Sequence, residues 1–167
     1  MNPDSSQNTA RKYFFSPANI IMLVFIADQI SKLAILRLLG HNVQTIIPGF
    51  FRLVFFQNKG AAWGIFSNYP EVLTAIAIIA LVIIIASFKK ICAGKRVNEI
   101  ALSLLAGGIT GNLFDRIIRG SVVDFLDFYV GDWRWPAFNI ADSAITISIM
   151  LFLLTSFLDD RKNAKSA

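Results

Sequence analysis

Four aspartates lie inside or directly beside long apolar stretches of the sequence: Asp28, Asp115, Asp124 and Asp142. A charged side chain at the centre of a bilayer costs about 2.5–3.5 kcal/mol on insertion scales, so such positions call for a functional reason. Two aspartates that share a site can hold one proton between them. One then acts as general base on a water while the other donates a hydrogen bond to a carbonyl oxygen. The set therefore allows peptide-bond hydrolysis by a carboxyl pair.

Other chemistries find little support. His41 is the single histidine and Cys92 the single cysteine, so neither an internal disulfide nor a Cys-x-x-Cys metal site is possible. No serine has a histidine base at motif spacing, and the sequence holds no glycine loop of the kind that cradles phosphate. We therefore expect neither a metal nor an organic cofactor.

Spacing alone does not select the pair of aspartates. Asp115 directly precedes Arg116, and a guanidinium so close would keep this carboxylate ionised in a structural ion pair. Asp124 and Asp142 have no neighbouring cation in the sequence, which favours them modestly. The alternative is that both only cap helices or bind backbone amides, because aspartate is common at helix starts.

The elements that must position these residues are membrane helices. Of the 167 residues, 55% are apolar and 16% charged, against roughly 25% charged in ordinary soluble domains. A spanning helix needs about 20 mostly apolar residues. Four stretches qualify: 17–39, 72–88, 98–118 and 138–158. We predict an all-α membrane protein of four transmembrane helices, formed as one domain over residues 1–167.

The basic residues indicate topology rather than a nucleic-acid partner. Although the net charge is +5, the cations form no face or stripe and lie in short stretches between the apolar runs. Nine lie on one predicted side and four on the other, so both termini are expected in the cytoplasm. The nine are Arg11, Lys12, Lys89, Lys90, Lys95, Arg96, Arg161, Lys162 and Lys165, and the four are Arg52, Lys59, Arg119 and Arg134. The first apolar stretch has no small-x-small cleavage site after it, so we expect it to remain as an anchor.

Two segments are then expected on the outer side. Residues 43–64 contain turn signals at Pro48-Gly49 and Asn58-Lys59-Gly60 around an aromatic and β-branched run, which predicts a small β-sheet. Residues 125–135 mix aromatic and charged residues, which predicts a short amphipathic helix at the membrane interface.

Polar residues recur at one level of the predicted bundle. Asp28 lies about 17 Å along a helix that starts at Pro17, and the polar parts of the third and fourth helices fall at a similar outer depth. Within each helix they follow i, i+3, i+4 spacing and share a face. The three trios are Asp28, Ser31 and Lys32; Asn112, Asp115 and Arg116; and Asn139, Asp142 and Ser143. With Gly107, Gly108 and Gly111 allowing close helix approach, they predict a shared polar cavity.

These same residues carry a resemblance to a known family. Five blocks resemble, in order, the motifs of the lipoprotein signal peptidase (signal peptidase II) family: 28–32, 58–64, 107–116, 120–125 and 138–143. Two departures stand out, with Ser31 where threonine is common and Trp63 where the family has phenylalanine. We expect Trp63 to alter packing or pocket width and not the reaction.

The resemblance implies an intramembrane aspartyl endopeptidase. Family members remove signal peptides from bacterial prolipoproteins, cutting before a cysteine that carries diacylglycerol. By motif, Asp124 and Asp142 are the catalytic pair. The residues implied to bind substrate or support the site are Asp28, Lys32, Asn58, Gly108, Asn112, Asp115, Arg116, Val123, Asn139 and Ala141. The resemblance also implies a multi-pass protein of the bacterial inner membrane, with its site near the outer face and prolipoproteins and membrane lipids as partners. Nothing in the sequence demands more than a monomer.

Two other functions are open on the residues alone. Intramembrane carboxylates also mark proton or ion pathways, so a small transporter is the main rival. Against it, the cytoplasmic halves of the second, third and fourth helices are apolar, whereas a conduction path needs polar residues at both levels. A lipid or protein assembly role would not require two aspartates at matching depth.

Overall fold

The computed structural model describes residues 16–60 and 65–166. Helix α1 spans Pro17–Ala34 and continues as a π-helix over Ile35–Leu39. The remaining elements follow in chain order: β1 Gln44–Ile47, β2 Phe51–Asn58, α2 Pro70–Cys92, α3 Arg96–Arg119, β3 Val122–Val130, β4 Trp133–Arg134 and α4 Ile140–Ser166. Trp63, Arg11 and Lys12 lie outside the described residues, so the predictions that concern them have no structural counterpart.

The helix ends follow from local sequence. Ser16 caps α1 by accepting a hydrogen bond from the Asn19 amide at 3.3 Å, with Pro17 in the first turn. Helix α3 ends where Gly120 adopts φ 72°, a left-handed conformation that glycine reaches without a Cβ clash. Among the described residues, four helices are long and apolar enough to cross a membrane. The predicted all-α membrane architecture with a small antiparallel sheet is confirmed.

Helix α3 is the centre of the bundle and packs against each of the other three helices. Its glycines allow this close packing. A Cβ added at Gly107 would lie 2.8 Å from the Val24 Cβ, and one at Gly108 would lie 2.5 Å from the Ala141 carbonyl oxygen. The predicted role of these small residues in close helix approach is therefore confirmed.

The apolar core divides into two parts. Toward the turn between α2 and α3, Ile84 and Cys92 pack with Leu102 and Ala106. Under the sheet, Ile35 and Leu39 of the π-helix pack with Phe125. Between the two clusters the interior is polar, and it includes fully buried Lys32 and Asp115.

The sheet is antiparallel with strand order β1-β2-β3-β4. The small sheet predicted over residues 43–64 is present in its described part as the hairpin of β1 and β2, whose turn contains Gly49 at φ 77°, and residues 61–64 lie outside the described residues. Strand β2 pairs with β3 so that Phe56 faces Asp124, and a bulge separates Leu53 from Phe56. This register places Asp124 at the end of the sheet nearest the helix bundle.

The short interfacial helix predicted over residues 125–135 is wrong. Val122–Val130 form a strand and Trp133–Arg134 its short partner. The run is β-branched and aromatic, and as a strand it supplies partners for the backbone groups that β2 would otherwise leave unpaired. Phe125 is also only 4% exposed, so the start of the segment belongs to the core and not to the membrane interface.

Candidate active site

Asn139 and Asp142 form the start of helix α4. The Asn139 Oδ1 accepts a hydrogen bond from the Asp142 amide at 2.9 Å, and the Asn139 amide donates to Asp142 Oδ2 at 3.3 Å. This is the reciprocal arrangement of a capping box, with aspartate in place of the usual glutamate or glutamine. The Asp142 carboxylate is thereby held at the positive end of a helix dipole.

Asp124 approaches from strand β3 and is 1% exposed. Its Oδ1 accepts a hydrogen bond from Asn139 Nδ2 at 2.7 Å, and its Oδ2 accepts one from Asn58 Nδ2 at 2.9 Å. Burial raises the pKa of the Asp124 carboxyl to about 7, and the nearby negative charge of Asp142 adds to the rise. The hydrogen bonds from Asn58 and Asn139 act against it by favouring the ionised form.

Asn112 of helix α3 connects the two halves of the site. Its Nδ2 donates to Asp142 Oδ1 at 2.7 Å. Its Oδ1 accepts from Asn139 Nδ2 at 3.1 Å and from Lys32 Nζ at 2.9 Å. The Asn112 amide is thus fixed in one orientation, with its donor end toward Asp142.

A buried ion network lies directly behind these amides. Lys32 Nζ is 2.8 Å from Asp28 Oδ2 and 2.9 Å from Asp115 Oδ2, and all three side chains are 0% exposed. Arg119 forms a further ion pair with Asp115. The predicted ion pair between Asp115 and Arg116 is therefore wrong. Arg119 is one helical turn beyond Asp115 and shares its face, whereas Arg116, the next residue, points around the helix.

Arg116 instead faces the backbone around the site. Its guanidinium donates to the Asn112 carbonyl and to the Gly60 carbonyl, both at 3.4 Å. Its Nε is buried and has no hydrogen-bond partner among residues 16–60 and 65–166. Asp142 and Asp124 are the acidic side chains that interact most strongly with its charge.

Residues that sequence reasoning did not assign to the site complete the network. Gln29 Nε2 donates to Asp28 Oδ2 at 3.0 Å and to Asp115 Oδ1 at 3.2 Å, while its Oε1 accepts from Arg119 at 2.9 Å. Gln29 belongs to the first sequence motif, and Arg119 follows Asp115 by four residues. Both signals are present in the sequence, where Arg119 is predicted only as one of the four cations on the outer side.

The structure brings together every residue that the resemblance implied for the site. The fully buried Ala141 and the 1% exposed Val123 contribute through their backbone, and Gly108 through its contact with Ala141. The Ser31 and Ser143 hydroxyls instead donate to the carbonyls of Asp28 and Asn139, three and four residues earlier in the chain. Within the described part of the chain, no group of three or more His, Cys, Asp or Glu side chains could hold a metal ion.

Comparisons with known proteins agree on one family. The model of the family described as Signal peptidase (SPase) II matches residues 20–158. A lipoprotein signal peptidase of Burkholderia multivorans is 40% identical over 138 residues, which cover 80% of this chain and 82% of that protein. One from Janthinobacterium sp. is 40% identical over 153 residues, covering 86% and 92%. A solved structure of a bacterial membrane enzyme superposes with a TM-score of 0.80 at 35% identity, covering 88% of this chain and 90% of that chain.

Four spanning helices around a buried cluster of carboxyls and amides define a multi-pass membrane protein. The chain belongs to the signal peptidase II family, which makes it a peptidase and thus a hydrolase of peptide bonds. The resemblance found in the sequence motifs is confirmed.

Proposed function

We propose that this peptidase uses Asp124 and Asp142 as an aspartic catalytic pair to remove signal peptides from diacylglyceryl-modified prolipoproteins. The observation that carries the proposal is the position of Asn139 between the two acids. Its Nδ2 donates to Asp124 Oδ1 at 2.7 Å and its backbone amide donates to Asp142 Oδ2 at 3.3 Å, so one buried residue contacts both carboxyls. Two acids from different elements that both accept hydrogen bonds from Asn139, with the charge of Asp142 raising the pKa of Asp124, suit general acid–base hydrolysis.

The environments of the two acids support different roles. Asp124 is buried with a pKa of about 7, so it holds a proton readily at neutral pH. Asp142 lies at a helix N-terminus, accepts two hydrogen bonds and is less buried than Asp124. We assign Asp124 as the proton donor and Asp142 as the general base.

In the proposed reaction, Asp142 accepts a proton from a water molecule whose oxygen attacks the carbonyl carbon of the scissile peptide. Asp124 gives its proton to the carbonyl oxygen, and a tetrahedral diol results. As the carbon–nitrogen bond breaks, the amine leaves with the proton from Asp142, and a diol proton returns to Asp124. The pair is then restored with one proton, and a carboxylic acid and an amine are the products.

The location of the pair supports a lipid-anchored substrate. Asp142 lies in the first turn of α4, and Asp124 lies on the strand that follows α3. Both are at the sheet end of the bundle, opposite the basic turn between α2 and α3. By the positive-inside rule this end faces outward. There the acyl chains of a diacylglyceryl-cysteine could stay in lipid while its peptide reaches the carboxyls. We extend the proposal to a bacterial inner-membrane protein that acts as a monomer, with both termini cytoplasmic.

The proposal is tested with purified protein in detergent and two forms of one prolipoprotein, with and without diacylglycerol on the cysteine. We expect a single cut directly before the modified cysteine and much slower cleavage of the unmodified form. Reaction in H₂¹⁸O should place one ¹⁸O in the new carboxyl terminus of the signal peptide. Cleavage at another bond, or equal rates on both forms, would contradict the proposed substrate.

A further inference from the structure

We propose that Lys32 is a positioning residue that fixes, through the carboxylates of Asp28 and Asp115, the backbone N–H of the residue directly before each member of the catalytic pair. The inference rests on the proposed function of Asp124 and Asp142. It assigns to Lys32 a task in setting the distance between them, beyond any contribution to folding.

The first connection runs through Asp28 to helix α4. Asp28 Oδ2 binds Lys32, and its Oδ1 accepts a hydrogen bond from the Ala141 amide at 3.0 Å. Ala141 is fully buried and directly precedes Asp142. The carboxylate of Asp28 therefore holds the first turn of the helix that carries the proposed general base.

The second connection runs through Asp115 to strand β3. Asp115 Oδ2 binds Lys32 and also accepts a hydrogen bond from the Val123 amide at 3.1 Å. Val123 directly precedes Asp124. The same geometric relation therefore occurs twice, with each carboxylate of the ion network holding the amide just before a catalytic aspartate.

Lys32 joins the two connections, because its ammonium binds both carboxylates. An ammonium has three N–H donors, and those of Lys32 have three acceptors in reach. The acceptors are Asp28 at 2.8 Å, Asp115 at 2.9 Å and the Asn112 Oδ1 at 2.9 Å. Through the third, Lys32 also determines which end of the Asn112 amide faces Asp142.

The charges of the network indicate that it serves to position groups in the site more than to stabilise the fold. Lys32 and Arg119 balance Asp28 and Asp115, so the network is neutral. Removing the charges of Lys32, Asp28 and Asp115 from water is expensive, and buried ion pairs are often replaceable by apolar side chains with no loss of stability. The three contacts of the Lys32 ammonium, in contrast, have fixed directions. They hold the spacing between helices in a way that apolar packing does not.

The structure offers a test that changes no charge. A Cβ at Gly111 would lie 2.6 Å from Asp28 Oδ2 and 3.1 Å from its Cγ, so Gly111→Ala must displace this carboxylate. The atoms nearest to a Cβ at Gly107, one turn away, would belong to the Val24 side chain and the Ile21 carbonyl. Gly107→Ala is therefore the matched control, with the same substitution and crowding on the same helix outside the network.

We measure kcat, KM and the thermal midpoint of both variants with the diacylglyceryl substrate. Since a displacement near 1 Å can lower the rate by about 100-fold, we expect a kcat loss of that order in Gly111→Ala. Its KM should stay within about threefold of the parent value, because the lost interaction is one that orients the reacting groups. Gly107→Ala should lose comparable thermal stability and keep its kcat. Equal kcat losses in the two variants would overturn the proposal.

A second experiment distinguishes a role of Lys32 in charge balance from its role in positioning. Lys32→Gln alone leaves an unbalanced buried carboxylate, whereas Lys32→Gln with Asp28→Asn restores neutrality. We expect the double variant to regain thermal stability and to keep a low kcat. If kcat returned together with stability, Lys32 would only balance charge, and the proposal would fail. Should neither variant fold, the glycine pair decides the question.

Asp142→Asn measured in the same assay distinguishes the two possible failures. If this variant is active, the proposed catalytic pair is wrong whatever the glycine variants do. If it is inactive while Gly111→Ala and Gly107→Ala match in kcat, only the positioning role of Lys32 is wrong.

Discussion

The Asn139 side chain, whose Oδ1 caps the helix of Asp142, donates from Nδ2 to Asp124 Oδ1 at 2.7 Å. One fully buried side-chain amide thus caps the start of α4 and also binds the carboxyl of a strand residue. Because an amide has a fixed donor and acceptor end, both contacts hold only in one orientation. The positions of the two carboxyls are therefore set together.

Asn139→Ala should lower both activity and stability. The loss of a helix cap costs about 1–2 kcal/mol in the free energy of unfolding. The loss of the link to Asp124 should lower kcat by about 100-fold, since the two carboxyls are no longer positioned together. Denaturation and cleavage assays measure the two effects. Asn98→Ala is the matched control, because Asn98 lies near the start of α3, at the opposite end from the site, and its side chain donates to the Ile91 carbonyl at 3.3 Å. An Asn139→Ala variant with parental kcat would contradict the joint positioning.

The stability of the protein should depend on pH through Asp124. Its pKa is raised from 3.8 to about 7 in the folded state, so the folded chain holds this proton more tightly than the unfolded chain. The contribution is complete below pH about 4 and is lost as the pH rises through about 7. We expect the thermal midpoint of the parent protein to fall across this range relative to that of Asp124→Asn. A constant difference between the two would show that Asp124 does not titrate there.

Asn58→Ala should move the alkaline limb of the rate profile to higher pH. The hydrogen bond from Asn58 Nδ2 favours the ionised form of Asp124, so its removal raises the Asp124 pKa further. If Asp124 supplies the proton, kcat should then persist to higher pH than in the parent protein. The neighbouring Gln57 is exposed and provides the control variant Gln57→Ala. A shift of the limb to lower pH in Asn58→Ala would contradict the assignment.

Gly108→Ala should destabilise the contact between α3 and α4. The new Cβ would lie 2.5 Å from the Ala141 carbonyl oxygen and 2.8 Å from the Ile145 side chain. Overpacking of this kind costs about 1–3 kcal/mol, and here the nearest atom is backbone that cannot rotate away. A chemical or thermal unfolding series measures the loss. An unchanged midpoint would mean that the helices separate without penalty.

Much of this architecture follows from local sequence rules. The helices are set by apolar runs of membrane-spanning length, and the hairpin of β1 and β2 by its turn residues. The depth of the site in the bundle follows from polar residues that recur at one height, and their i, i+3, i+4 spacing places them on one face of each of three helices. The spacing also places Asp28 and Lys32 on one face, where they form an ion pair.

The predictions that are wrong concern segments whose structure depends on a partner far away in the sequence. Residues 125–135 can be amphipathic as helix or strand, and the choice depends on pairing with β2, about 70 residues earlier. Asp115 had two candidate cations close in sequence, but Lys32 is supplied by another helix. The pairing of Asp124 with Asp142 stayed open on spacing for the same reason, because Asn139 joins them only in three dimensions.

The most direct test of the catalytic pair is the cleavage rate of Asp124→Asn and Asp142→Asn on the diacylglyceryl-modified prolipoprotein, with thermal midpoints measured in parallel. Each variant has a control on its own element, Asp127→Asn on β3 and Asp159→Asn on α4; those aspartates pair with Arg52 and Lys95 away from the site. We predict that each catalytic substitution lowers kcat by about 1,000-fold or more in folded protein, while both controls cleave at near-parental rates. A folded Asp124→Asn or Asp142→Asn variant that cleaves as fast as its control would contradict the proposed pair.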